Sequence, residues 1–132
     1  MKKILLSGLL AGLAMVVVGV ILNTIWQKIF PGLQAEYQTA LFRPWSDPLM
    51  SLVFVVPLLM GFVLAQAWKK VDGQGKKIFG FVGFFSIFSF LGMLMTYSCF
   101  PMSFLMLMSW WVTTIVEYFV GTWILAKMIK SK

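Results

Sequence analysis

The chain has 132 residues, 61% of them apolar, with eleven basic and four acidic side chains and no histidine. A single small domain buries only part of its surface, so a water-soluble fold could not hide that much hydrocarbon, and the expected solvent is lipid. The lack of histidine removes the usual acid–base group near neutral pH and a common metal ligand, and the net charge of +7 reads as topology information, with no need of nucleic acid.

Four apolar runs, residues 4–26, 48–68, 78–97 and 102–126, are each long enough to cross the hydrocarbon core, which takes about 20 helical residues. Backbone in lipid needs partners within its own segment or in a closed barrel, and none of the runs shows the alternation of a barrel strand. The expectation is an all-α integral membrane protein, one domain of four antiparallel transmembrane helices. Nine of the eleven basic residues fall on one side: Lys2, Lys3, Lys69, Lys70, Lys76, Lys77, Lys127, Lys130 and Lys132. Lys28 and Arg43 lie on the other, balanced by Glu36 and Asp47. Basic residues flanking spans stay cytoplasmic, which puts both termini inside and the protein in the cytoplasmic (inner) membrane.

The first run opens on "MKK", as a signal peptide does, but it continues apolar through Leu22, past the usual length of a signal core, and is expected to remain as a helix. Gly8, Gly12, Gly19 and Asn23 share roughly one face of it. The G-x-x-x-G spacing of Gly8 and Gly12 recurs as Gly61 and Ala65 in the second run, and Gly80 and Gly83 notch the third. Small residues let helices approach closely where lipid supplies no hydrophobic drive, so these are the expected packing positions, within the chain or against a second copy.

Between the first two spans, "FPGL" reads as a turn, and Leu33, Tyr37 and Leu41 beside Phe42 suit a short helix lying at the interface. Asp47 before Pro48 is an N-cap followed by a first-turn proline. Pro57 removes one helical bond from the second span, freeing the carbonyl of Val53. "KKVDGQGKK" is a tight link on the lysine-rich side, and "SCFPMS" a short one on the other, so sequential antiparallel hairpins are expected.

Glu117 is the only charge between residues 102 and 126. It lies ten residues from Lys127, about 15 Å along a helix and close to the midplane, where an ionised group costs at least about 2.5–3.5 kcal/mol. Pairing the last two helices as a hairpin makes Glu117 level with Ser86 and Ser89, with Thr113 and Thr114 one turn away, a small polar site that no lysine or arginine reaches. Two roles fit: a neutral acid bonding helices together, or a titrating site for protons or a cation. Met95, Cys99, Met102 and Met106 form a second constellation at the same end as the short link, soft sulfur that would suit Cu(I), although methionine is also ordinary filler. No acid pair, nucleophile with a base or phosphate loop is present, so neither an enzyme nor a resident cofactor is expected.

"LFRPWSDPLMSLVFVVPLLMG" (residues 41–61) and "TYSCFPMSFLMLMSW" (residues 96–110) resemble blocks of an uncharacterised family of small four-helix membrane proteins of bacteria and archaea. The resemblance implies the fold and the membrane location and carries over no active residue. The expected role is accessory or scaffolding, alone, as a homo-oligomer or within a larger membrane complex; the alternative is a small proton- or cation-coupled transporter using Glu117.

Overall fold

The computed structural model describes residues 2–71 and 77–129, and the expected turn at residues 72–76 lies outside them. The described chain is helical, without a strand: α1 (Lys2–Ile29), α2 (Pro31–Tyr37), a 3₁₀ turn (Pro48–Ser51) leading into α3 (Leu52–Lys70), α4 (Ile78–Cys99) and α5 (Phe104–Met128). Four stretches are long and apolar enough to cross a membrane: Lys2–Ile29, Pro48–Lys70, Ile78–Cys99 and Phe104–Met128. This is the fold of a multi-pass membrane protein.

Local chemistry sets the helix ends. The Asp47 carboxylate accepts from the Leu49 N–H at 2.9 Å and pairs with Arg43 at 2.8 Å, so the chain enters α3 through a capped turn that starts on Pro48. Ser103 caps α5, its hydroxyl accepting from Met106 N at 3.1 Å; the last helix therefore begins at Phe104, two residues after the start of the apolar run.

The helices are antiparallel, but their order in space is not their order in the chain. α1 is central, packed on α3 and on α5, while α4 packs on the far side of α5. α3 and α4, expected as a hairpin, make no extended contact among the described residues; near their lysine-side ends Trp68 stands edge-on to Phe81 with ring centroids 5.1 Å apart. The reason is the small residues. A Cβ on Gly61 would stand 2.7 Å from Gly12 Cα and collide with the Gly8 carbonyl, and one on Gly12 would be 2.8 Å from Leu58 Cα. Such close backbones exchange dispersion contacts that lipid cannot match, which draws α3 to α1.

Gly80 and Gly83 do not take part. A Cβ on either would meet nothing within 4 Å, because α4 turns Phe81, Val82 and Ser86 inward and leaves these glycines at the surface. Ala11, Met15, Leu64, Ala65, Trp68 and Leu125 form the core in the lysine-side half of the bundle.

Candidate functional site

Glu117 is half-buried on α5 and turned toward α1. A Cβ on Gly19 would collide with its Oε1, so the absence of a side chain there is what makes room for the carboxyl. Ser86 and Ser89, the partners expected across the last hairpin, face elsewhere. The Ser89 hydroxyl shares a 2.8 Å hydrogen bond with the phenol of Tyr118. The Ser86 hydroxyl has no partner, and its carbonyl accepts from Trp111 Nε1 at 3.1 Å. Consecutive helical residues diverge by about 100°, so Tyr118 points at α4 while Glu117 points at α1. The expected depth of Glu117 relative to α4 is compatible with these neighbours; the expected direction is not.

Glu117 lies at the floor of a cleft of ≈ 1390 Å³ between α1, α3 and α5, which reaches the end of the bundle opposite the lysine-rich one. Asn23, Thr113 and Thr114 line it together with Glu117, as do Pro57 and Val53 of α3. Among the described residues no side chain or backbone group donates a hydrogen bond to Glu117, and the ion pair present is Arg43–Asp47, at the cleft mouth. The threonines have other partners: Thr113 donates to Ser109 O at 2.8 Å and accepts from Trp26 Nε1 of α1 at 3.1 Å, and Thr114 donates to Trp110 O at 2.9 Å.

The roof over this end is α2 and the segment after it. Leu33 is 2% exposed against Met102 and Met106, with Trp26, Phe30 and Trp110 around them. The Tyr37 phenol accepts from Trp110 Nε1 and lies 3.5 Å from Asn23 Oδ1, to which it donates. Burial pushes this phenol above its ordinary range, outweighing the bond from Trp110, which lowers it. The Leu49 N–H, and then Arg43, hold the Asp47 carboxyl below the usual carboxylate range.

Glu36 fastens the roof. Its carboxylate accepts from Ser103 N at 2.6 Å and Ser103 Oγ at 2.7 Å, placing a negative charge on the N-terminus of α5, where the helix dipole favours one. Sequence reasoning treated Glu36 only as a counter-charge. The capping serine and "PGLQAEY" lie 67 residues apart, and no local pattern links them.

The sulfur constellation is divided. Met95 is 73% exposed and Cys99 exposed on α4, whereas Met102 and Met106 are buried under Leu33. One pair faces outward and the other is spent on packing. Gly19 is the residue that sequence reasoning undervalued; its signal was a missing side chain on α1 beside Asn23, one of the few polar residues in that run.

No family model matches the chain, and neither a curated protein nor a solved structure matches it. What the site can do follows from its parts: a carboxyl without a counter-ion, reached through an open cleft, can take up a proton or a cation.

Proposed function

We propose that this small polytopic membrane protein is a proton- or cation-coupled transporter in which Glu117 is the titrating group. One observation carries the reading: the carboxyl lines an open cleft and has no hydrogen-bond donor among the described residues. An acid serving only to join helices would be packed dry against a partner. Intramembrane carboxyls that line cavities mark ion and substrate paths. The reading includes no enzymatic step and no resident cofactor.

The cleft is taken to open away from the cytoplasm, with both termini inside the cytoplasmic membrane, from the nine-to-two division of basic residues. Cys99 is exposed near that end of α4, so a membrane-impermeant maleimide added to intact cells should label it. Labelling only after the cells are broken would reverse the orientation. Membership in the group that residues 41–61 and 96–110 resemble belongs to the same proposal, and a member shown to have another helix count would refute it.

Infrared spectra of the protein in bilayers, titrated with acid and base, test the central claim. The expected result is a carboxyl band that shifts in heavy water, titrates, and is missing from a folded Glu117→Gln variant. A Glu117 band that neither exchanges nor titrates would return the residue to neutral helix joining. The accessory or scaffolding reading draws on a different observation: Gly80 and Gly83 are open on α4, where a helix of another chain could approach closely.

A further inference from the structure

We propose that the cleft above Glu117 takes a bulky, apolar-bodied organic cation, whose positive centre meets the Glu117 carboxylate while its body lies among the aromatic rings of the mouth. The inference rests on the proposed titrating role of Glu117 and names what shares that site with the proton.

Three features select this class. The first is size: at ≈ 1390 Å³ the cleft exceeds the roughly 300–1,000 Å³ of pockets that hold drug-sized molecules. A bare inorganic cation would leave it almost unfilled. Hard cations also want about six oxygen ligands, and no group of three His, Cys, Asp or Glu residues occurs among the described residues.

The second is the wall. Trp26, Tyr37, Phe42, Trp45 and Trp110 line the outer part, and aromatic faces attract a desolvated organic cation while also burying its hydrocarbon. Val20 and Val53 extend the apolar surface inward, and Pro57 lines the same wall.

The third is charge. The floor carries a carboxyl with no counter-ion, and the cation at the mouth, Arg43, is held by Asp47 at 2.8 Å. An anion would find no free positive partner among these groups. A neutral molecule would leave the carboxyl unanswered.

The proton competes for the same oxygens. Few other titratable or charged groups face this part of the cleft. α1 presents Gly19 and Asn23, α3 presents apolar side chains, and α4 presents Met93. The roof presents Tyr37 and the Arg43–Asp47 pair, and Tyr118 on α5 itself is turned to Ser89. Binding should therefore release a proton when Glu117 is protonated and weaken in acid.

Tetraphenylphosphonium and tetraphenylborate, nearly equal in shape and opposite in charge, are the probes. Each is titrated into full-length protein in zwitterionic lipid nanodiscs, with protein-free discs subtracted for partition into lipid. Saturable binding of the phosphonium ion alone is expected, weaker in acid. Glu117→Gln should weaken it by roughly tenfold to a hundredfold, as for one lost charge-assisted contact. Val20→Trp, which narrows the cleft and keeps the carboxyl, should weaken it too, while leaving the infrared carboxyl band titrating. Saturable borate binding, or phosphonium binding unchanged by Glu117→Gln, would overturn the inference. No saturable binding with a titrating carboxyl would overturn this ligand class and leave the transport reading standing; no binding with a carboxyl that does not titrate would remove both.

Discussion

Toward the lysine-rich end, α1 lies so close to α3 that a Cβ on Gly61 would overlap the backbone of Gly12; beyond Val16 the same two helices border a cleft instead. Gly8 and Gly12 face Gly61 and Ala65 in the first region. In the second, Val20 faces the gap from α1 and Val53, Val56 and Pro57 from α3. In lipid, apolar side chains gain nothing merely by leaving the solvent, so association follows how closely backbones can come. One helix pair thus has a region fastened by missing side chains and a region held apart by present ones. The polar residues Asn23 and Glu117 lie in the second, where the helices do not close over them.

The largest test of that contrast is Gly61→Ala. The added methyl has only backbone to displace, at Gly8 and Gly12, so the helices must separate or shift. Overpacking of this kind costs about 1–3 kcal/mol, and unfolding in bicelles by denaturing detergent should show a loss of that size. Stability equal to the parent would mean that α1 and α3 are not in backbone contact, and the contrast between the regions would fail.

A middle-sized effect is expected at the roof. Glu36→Ala removes both acceptors at the start of α5 and leaves Ser103 N without its partner. The site is partly solvated, so the cost should be about 1 kcal/mol, in the range of other helix caps. The backbone amides of α2 should exchange faster while those around Gly61 stay as they are. Acceleration in both places, or in neither, would show that roof and packed region are not independent.

The sequence reveals much of this and stops at a definable point. Apolar length marks the four spans, and the rise per residue sets how far along its helix Glu117 lies from Lys127, because both depend on one segment at a time. Direction around the helix axis depends on which segments are neighbours. Chain order suggested α4 as the partner of Glu117, but α5 also packs on α1, and Gly19 of α1 leaves the space that the carboxyl fills. The glycine patterns show the same limit: Gly8 and Gly12 meet a backbone, Gly80 and Gly83 meet nothing, and only the packed chain separates them. The Glu36–Ser103 contact joins α2 to the cap of α5 by tertiary geometry alone.

The smallest effect is expected from the same substitution as the first, made on α4. Gly83→Ala places a methyl where no atom lies within 4 Å, so nothing inside the chain has to move. Alanine also loses less conformational freedom than glycine on entering a helix, a gain of up to about 1 kcal/mol where packing is indifferent. The variant should therefore unfold at the parent's detergent concentration or slightly above it, in contrast to Gly61→Ala. Its assembly carries the remaining information. If α4 approaches another helix through Gly83, the methyl will weaken that contact, and light scattering or crosslinking should show a smaller species although each chain is as stable as before. Unchanged assembly would leave Gly83 facing lipid and take away the observation on which the scaffolding reading draws. A loss of stability in a variant that is monomeric from the start would show that α4 packs within the chain through its glycines, contrary to the open surface described here.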